Sequence, residues 1–198
     1  MLSSQQSKSI LRQQLRSRRQ ALSAKTRASA AVALSKRLID LPVLADAVHI
    51  ATYLAADEEL NPNLGLEALR QQGKQIYLPV IQQDNSLLFG SWGKGEALLP
   101  NRFGIGEPCP GRRLRPASEL DVILLPLVGW DRSGQRLGMG GGFYDRSLAH
   151  AGDVIKIGVA YAVQEVPHLP GEEWDVQVNY VLTESQLLEC QPTSAKGR

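Results

Sequence analysis

The sequence predicts an α/β fold around a mostly parallel β-sheet, and three observations support this expectation. Candidate strands and helices alternate along most of the chain, as they do in βαβ units. Hydrophobic residues make up 43% and charged residues 21% of the 198 residues, which is typical of a globular protein. A chain of this length can bury roughly 70% of the surface that its unfolded form exposes. We therefore expect one domain over residues 1–198, a three-layer sandwich of Rossmann-like architecture.

The N-terminal segment is predicted to form a basic amphipathic helix over residues 8–22. Leucines recur on one helical stripe and basic residues on another. Residues 1–39 contain nine of the 22 Lys and Arg residues and no acidic residue. Three explanations stay open at this point: a phosphate-binding helix, a nucleic-acid patch or a targeting peptide. The basic stripe consists of Lys8, Arg12, Arg16 and Arg19.

The elements that follow are predicted from capping residues and apolar runs. Ser23 is a suitable N-cap for a second helix, which ends at Ile39 before Pro42. A polar tail is expected after Cys190. Between these points we predict a strand at 48–56, a helix from Asn61-Pro62 to Gly73, strands at 76–80 and 87–89, a packed irregular loop around 103–108, a central strand at 121–125, a turn at 131–134, a helix at 143–149 and a strand at 154–160.

Several classes of protein are excluded by what the sequence lacks. No run approaches the 18 uncharged apolar residues of a membrane span, and the longest apolar stretch is interrupted by Pro126. Cys109 and Cys190 form no C-x-x-C pair and lie near no histidine cluster, so the sequence offers no basis for a disulfide framework or a zinc site. The cysteine content fits a reducing, cytoplasmic setting best, and we expect a monomer.

The most distinctive segment is glycine-rich and spans residues 138–142 (GMGGG), between a buried strand and a predicted helix. Glycines allow positive φ and close approach of backbone N–H groups to a ligand, and a helix N-terminus favours anions. The segment therefore suits a phosphate group, although a plain strand-to-helix turn would look the same. It matches neither the Walker pattern, which needs Gly-Lys-Ser/Thr, nor the dinucleotide pattern, whose third glycine would fall on Phe143.

Asp145 lies in the first turn of the helix that follows the glycines. A carboxylate at this place can reach a metal ion that bridges phosphate oxygens. It would equally be explained as a first-turn acid favoured by the helix dipole, an effect of about 0.3–1 kcal/mol.

Residues 126–146 (PLVGWDRSGQRLGMGGGFYDR) resemble the signature of the 5-formyltetrahydrofolate cyclo-ligase family, also called 5,10-methenyltetrahydrofolate synthetases. Residues 8–12 (KSILR) resemble the basic N-terminal helix of that family, and residues 101–108 (NRFGIGEP) its central loop. Residues 169–175 (LPGEEWD) and 181–183 (VLT) are similar to its C-terminal region. The resemblance extends over about residues 8 to 184.

The resemblance implies an ATP site formed by the basic helix and the glycine-rich segment. Each charge-assisted hydrogen bond to a phosphate oxygen contributes roughly 1.5–3 kcal/mol. The resemblance also gives Arg136 and Tyr144 catalytic roles, with the role of Tyr144, hydrogen bonding or ring stacking, left open. The implied ATP-binding residues are Lys8, Arg12, Arg136, Leu137, Gly138, Met139, Gly140, Gly141, Gly142, Phe143, Tyr144 and Asp145.

The metal and folate sites are also implied by the resemblance. Asp145 and Asp175 are the implied Mg²⁺ ligands, expected at adjacent strand ends. Leu54 and Glu59 are implied to contact the folate, but Asn61-Pro62 departs from the family's Asp-Thr pattern. Glu58 therefore offers a competing register.

The implied reaction is the ATP-dependent cyclisation of 5-formyltetrahydrofolate to 5,10-methenyltetrahydrofolate, with release of ADP and phosphate. Phosphorylation of the formyl oxygen would make it a leaving group, and N10 of the same folate would then close the ring.

Two rival interpretations stay open: a nucleic-acid-binding module that uses the basic helix, and a sugar-phosphate isomerase or CoA-transferase-like enzyme of the same architecture.

Overall fold

The computed structural model describes residues 4–191, which fold into four α-helices and twelve β-strands joined by short 3₁₀ turns. The helices are α1 (Ser4–Gln20), α2 (Ala24–Ile39), α3 (Asn63–Gln71) and α4 (Phe143–Leu148). The strands are β1 (His49–Ala51), β2 (Gln75–Ile81), β3 (Leu87–Ser91), β4 (Leu98–Pro100), β5 (Gly106–Pro108), β6 (Leu114–Arg115), β7 (Val122–Pro126), β8 (Gly129–Trp130), β9 (Arg136–Leu137), β10 (Ile155–Val159), β11 (Tyr180–Leu182) and β12 (Leu187–Glu189).

Eight of these strands form the central sheet, in the order β12-β11-β10-β7-β1-β2-β3-β6. The five inner strands, β11 to β2 in that order, pair in parallel. The strands beyond them at both edges pair antiparallel. Parallel sheets are buried on both faces, and the strand β7 in the middle accordingly reads VILLP with four fully buried residues. The predicted fold class, an α/β domain around a mostly parallel sheet, is confirmed.

The two faces of the sheet have separate hydrophobic cores, and adjacent residues of β7 show the alternation. Leu124 belongs to the core that includes Leu38 of α2 and Leu69 of α3. Ile123 belongs to the opposite core, which includes Leu148 of α4. Because successive side chains of a strand point to opposite faces, this pattern places helices on both sides of the sheet. The result is the three-layer arrangement.

Helix α1 lies apart from both layers, at the carboxyl end of β7. Its Leu15 is fully buried against Val128, Leu137 and Leu169. Gly129 allows this contact, because a Cβ there would lie 2.4 Å from a methyl carbon of Leu15. The basic helix is thus fixed at the edge where open α/β sheets bind their ligands.

The helix boundaries agree with the capping signals. Ser23 caps α2, since its Oγ accepts a hydrogen bond from the backbone N of Thr26 at 3.1 Å. Helix α3 ends at Gln71, followed by Gly73 at a φ of 82°, the left-handed conformation that favours glycine after a helix. The first helix is displaced from the prediction: it begins at Ser4 and ends at Gln20 rather than covering residues 8–22.

Two predicted elements were wrong in extent or kind. The strand at 48–56 is only β1, because the chain leaves the sheet and turns at Asp57 and Glu58, both at positive φ. The loop around 103–108 packs as expected, but it is a hairpin of β4 and β5 rather than irregular chain. Glu107 attaches this hairpin to the sheet by accepting a hydrogen bond from the backbone N of Ile81 at 3.1 Å.

The polar tail expected after Cys190 lies outside the described residues, apart from the exposed Gln191. The assignment of residues 1–198 to one domain stays a prediction. Within residues 4–191, no helix combines the length and the apolar character needed to cross a membrane.

Candidate functional site

A small hairpin carries the candidate site beyond the end of β7. Its strands β8 and β9 pair antiparallel around a turn in which the side chain of Asp131 accepts hydrogen bonds from the backbone N of Ser133 and Gln135. Gly134 completes the turn at a φ of 86°. The predicted turn at 131–134 is therefore confirmed, and it directs the chain from β9 into the glycine-rich segment.

The glycine-rich segment combines left-handed backbone with unpaired amides. Gly140 and Gly142 have φ values of 100° and 66°, and Gly142 is the residue that precedes α4. The backbone N–H groups of residues 138–142 donate a hydrogen bond to no atom of the described chain. Free amides at a helix start can bind an anion, so the loop fits the phosphate groups that its sequence predicts.

Arg12 joins α1 to this segment. Its Nε donates a hydrogen bond of 2.8 Å to the carbonyl of Gly138. Its guanidinium carbon lies 3.5 Å from the position that a Cβ on Gly140 would occupy. Met139 lies beside Arg12 and is 55% exposed. Leu137, in contrast, has its side chain in the core under α1, so its role in any ATP contact is limited to its backbone.

Arg136 and Asp145 form a largely buried ion pair at the start of α4. The Nη2 of Arg136 lies 2.7 Å from Oδ1 of Asp145, and the two side chains are 5% and 23% exposed. The same Oδ1 accepts a hydrogen bond from the backbone N of Val176 at 3.2 Å. The Nε of Arg136 is buried without a partner among the described residues. A buried donor without a partner is unfavourable, so Arg136 is suited to an additional anionic group.

Lys8 forms the matching ion pair on the other side of the cleft. Its Nζ lies 2.6 Å from Oδ2 of Asp175 and 3.2 Å from Oε2 of Glu172, and its side chain is only 9% exposed. Because Val176 follows Asp175 and contacts Asp145, the two predicted Mg²⁺ ligands come from neighbouring backbone segments.

The carboxylates of Asp145 and Asp175 are suitable ligands for a magnesium ion. Oδ2 of Asp145 and Oδ1 of Asp175 accept no hydrogen bond from the residues that the structure describes, and Mg²⁺ prefers one or two carboxylates together with substrate phosphates. Residues 4–191 contain no cluster of three or more His, Cys, Asp or Glu side chains arranged as a metal site. Any magnesium site here would thus depend on the phosphates for its remaining ligands.

Tyr144 lies close to both Arg136 and Glu59. Burial, and then the negative charge of Glu59, raise the pKa of the Tyr144 phenol, while the positive charge of Arg136 opposes the rise. The phenol is therefore within electrostatic reach of both residues. A tyrosine phenol is protonated at neutral pH even at its ordinary pKa, and the raised pKa acts in the same direction, so Tyr144 can act as a hydrogen-bond donor.

The turn after β1 positions the Glu59 carboxylate. The Glu59 carboxylate accepts a hydrogen bond of 3.1 Å from the backbone N of Ala56, and burial raises its pKa. Glu58 is exposed, so the structure favours Glu59 in the choice between the two registers. Leu54 is half-buried next to Gly106 of the β4–β5 hairpin.

Three residues at the site carried no assignment from the sequence. Glu172 lies in the segment 169–175 that resembles the family's C-terminal region, but no role was assigned to it there, and Asp57 lies in a loop without a recognisable motif. Only their ion pairs with α1 reveal them. Arg19 belongs to the basic stripe of α1, yet it is fully buried. The stripe is therefore turned toward the protein, which counts against the nucleic-acid interpretation, because that interpretation requires a solvated basic face.

Fold and site together define an α/β enzyme architecture with a cationic, glycine-rich cleft at the carboxyl ends of its parallel strands. A sequence model described as the 5-formyltetrahydrofolate cyclo-ligase family matches residues 4–184. The 5-formyltetrahydrofolate cyclo-ligase of Escherichia coli K12 is 38% identical over 180 residues, which cover 88% of this chain and 99% of that protein. The Haemophilus influenzae protein of the same name is 35% identical and covers 89% and 97%.

Comparison with solved structures agrees with these sequence matches. The NMR structure of Aquifex aeolicus 5,10-methenyltetrahydrofolate synthetase superposes with a TM-score of 0.82 at 28% identity, over 96% of both chains. The chain belongs to the 5-formyltetrahydrofolate cyclo-ligase family. It is therefore an enzyme of the ligase class, and the family resemblance predicted from residues 126–146 is confirmed.

Proposed function

We propose that this chain catalyses the ATP-dependent cyclisation of 5-formyltetrahydrofolate to 5,10-methenyltetrahydrofolate, with release of ADP and phosphate. One observation carries the proposal: an anion site made of cationic side chains and free backbone amides lies near the Glu59 carboxylate, since Tyr144, which precedes Asp145 in the chain, is within electrostatic reach of both Arg136 and Glu59. A reaction that transfers a phosphoryl group to a folate needs two such sites side by side. The family membership supports the same activity.

In this proposal, ATP binds with its phosphates between α1 and the glycine-rich segment. Lys8, Arg12 and Arg136 neutralise phosphate charge, and the free amides of residues 138–142 bind phosphate oxygens. Asp145 and Asp175 would hold Mg²⁺, which supplies charge neutralisation between the phosphates when bound. Because phosphoryl transfer depends mainly on positioning and electrostatic stabilisation, the site requires no nucleophilic Ser or Cys.

The folate occupies the pocket of Leu54 and Glu59, which places its formyl group toward Tyr144. The formyl oxygen attacks the γ-phosphorus, and the bond to the β-phosphate oxygen breaks to release ADP. N10 then attacks the formyl carbon, loses its proton, and the C–O bond breaks to release phosphate. The ring closure is intramolecular, so holding N10 near the activated carbon supplies much of the acceleration. Arg136 stabilises the transferred charge, and protonated Tyr144 donates a hydrogen bond.

A direct assay tests the proposal. Purified protein incubated with 5-formyltetrahydrofolate, ATP and Mg²⁺ should form the methenyl product and ADP in equal amounts. Omission of ATP should abolish product formation. Absence of both products would refute the proposed function, and salt-sensitive binding to RNA in the same preparation would favour the nucleic-acid alternative.

The metal assignment has a separate test in Asp145→Asn. This variant keeps the size of the side chain and its contact with Val176, but it removes the counter-charge of the buried Arg136, so we expect a folded protein with a lowered melting temperature. Half-maximal activity should require about 10-fold more Mg²⁺. Calorimetric titration with ATP at several Mg²⁺ concentrations provides the second readout. An unchanged Mg²⁺ requirement in both measurements would remove Asp145 from the metal site.

A further inference from the structure

The lower half of the basic stripe on α1 converges on one carboxylate. Asp57 receives hydrogen bonds from Arg16 at 2.9 Å, from Arg19 at 2.7 Å and from Gln20 at 3.3 Å. The Arg19 side chain is 0% exposed, whereas that of Asp57 is 30% exposed. The upper half of the stripe, Lys8 and Arg12, lies at the glycine-rich cleft instead. Arg16 and Arg19 are thus engaged at a different place from the phosphate site.

The turn that contains Asp57 has an unfavourable backbone. Asp57 and Glu58 have φ values of 47° and 57°, a conformation that residues with a Cβ rarely adopt. The backbone N of Glu59 donates to the carbonyl of Ala56 at 2.9 Å, and the Glu59 side chain binds the amide of the same residue. Two consecutive left-handed residues persist only where the surroundings impose them. The contacts of Asp57 with α1 are a constraint of this kind, additional to the hydrogen bonds within the turn.

Packing alone does not explain a charged residue at position 19. The Nε and Nη1 of Arg19 are buried without partners among the described residues, and burial of an incompletely paired guanidinium is unfavourable. Replacing a whole buried ion pair of this kind by apolar side chains of similar volume is often neutral or stabilising. The charge therefore acts through what it contacts, and its only hydrogen-bonded partner among the described residues is Asp57.

We infer that Arg19 is a positioning residue, which holds the strained Asp57–Glu58 turn so that the Glu59 carboxylate faces the folate pocket. This inference rests on the proposed function, since it assumes that Glu59 contacts the folate. The charge of Arg19 also acts directly on Glu59, where it opposes the rise in pKa that burial causes. Through Arg19, the helix that carries Lys8 and Arg12 also determines the position of the Glu59 carboxylate.

The test uses Arg19→Met, which keeps the volume and removes the charge. We expect the fold to be retained, because the remaining Asp57 side chain is 30% exposed and keeps its ion pair with Arg16, with a melting temperature slightly below that of the wild type because one paired charge is lost. The KM for 5-formyltetrahydrofolate should rise about 10- to 100-fold, because loss of precise positioning has effects of this size. The KM for ATP should keep its wild-type value. Arg18→Gln is the matched control, since Arg18 is the exposed neighbour on the same helix and should change neither constant.

Amide hydrogen exchange and a rescue variant separate the possible outcomes. Exchange over residues 55–60 should accelerate in Arg19→Met and not in Arg18→Gln. Adding Glu58→Gly to Arg19→Met should recover part of the lost folate affinity, because glycine adopts a positive φ without strain. Unchanged exchange, an unchanged KM for folate or a failed rescue would each overturn the inference. A wild-type protein without methenyl product would refute the proposed function, yet exchange would still decide whether Arg19 holds the turn.

Discussion

Two turns border the candidate site, and they obtain the same backbone conformation in opposite ways. The glycine-rich segment reaches positive φ at Gly140 and Gly142, where no side chain opposes it. The turn after β1 reaches positive φ at Asp57 and Glu58, where the side chains do oppose it. The first turn needs no external support, while the second is tied to α1 by three hydrogen-bond donors.

The difference between the two turns corresponds to the chemical group that each turn exposes: backbone amides in the first and a carboxylate in the second. The glycine-rich segment presents its backbone, since its amides are free for a ligand and side chains would only obstruct them. The turn after β1 presents one side chain, Glu59, and therefore requires a fixed backbone. A ligand that contacts main-chain atoms and one that contacts a carboxylate are thus served by different local chemistry within the same site.

The largest effect should come from substitution of Arg136, the basic residue that precedes the glycine-rich segment. In Arg136→Gln we expect kcat to fall about 10²–10³-fold, as when a group that stabilises transition-state charge is removed. Steady-state kinetics together with thermal unfolding measure this. Arg132→Gln is the matched control, because Arg132 lies in the same hairpin turn with a 65% exposed side chain. If kcat and the melting temperature of Arg136→Gln both stay at wild-type values, the catalytic role of Arg136 is wrong.

The second effect concerns the glycine backbone itself. Gly140→Ala imposes strain of about 1–3 kcal/mol at its φ of 100°, which we expect to raise the KM for ATP about 10-fold with little change in the KM for folate. Gly95→Ala provides the control, since Gly95 is also left-handed, at a φ of 72°, with open space around it but outside the glycine-rich segment. Equal effects of the two variants on ATP would show that residues 138–142 have no special role.

The third effect tests the strain in the other turn. Glu58→Gly should raise the melting temperature by about 2–4 °C, because relief of left-handed strain outweighs the added flexibility of glycine by roughly 1 kcal/mol. Calorimetry measures the shift. Glu58→Ala removes the carboxylate without relieving the strain and should give no such increase. Equal melting temperatures for the two variants would contradict the contrast between the turns.

The smallest effect is a pH dependence at Asp57. Partial burial works against ionisation, but the hydrogen bond from Arg16 and the charges of Arg19 and Arg16 outweigh it and lower the pKa from 3.8. A lowered pKa contributes stability above the unfolded value, and this contribution is lost as the pH falls through the folded value. The melting temperature of Asp57→Asn should therefore lie below that of the wild type at neutral pH, with the difference shrinking below about pH 4. A difference that stays constant on acidification would contradict the assignment.

Sequence patterns predicted the fold well where elements are long or carry a capping signal. The buried strand β7, the Ser23 cap and the Gly73 helix end each follow from local chemistry and were confirmed. Strands of two or three residues, such as β8 and β9, are too short for a periodic pattern to indicate. They exist because the Asp131 turn and the core under α1 bring them together.

For the candidate site, the sequence singled out the glycine-rich segment, Lys8 and Asp175, but not the ion pairs that join distant residues. Lys8 and Asp175 are 167 residues apart and Arg19 and Asp57 are 38 apart, so no local pattern connects them. The basic stripe on α1 was visible, but its division into two sets of contacts depends on which loops the fold places beside it. The burial of Arg19 likewise depends on tertiary structure alone.

Helix α1 fixes both the distance and the rotation angle between its two pairs of basic residues, Lys8 with Arg12 and Arg16 with Arg19. Lys8 and Arg19 are separated by about three helical turns, or about 16 Å along the axis. A single inserted residue between Arg12 and Arg16 would rotate the second half by about 100° and direct Arg16 and Arg19 away from Asp57, while Lys8 and Arg12 stayed in place. Point substitutions on the exposed side of α1 should therefore be tolerated in evolution, whereas insertions and deletions within it should be absent from relatives that keep both sets of contacts.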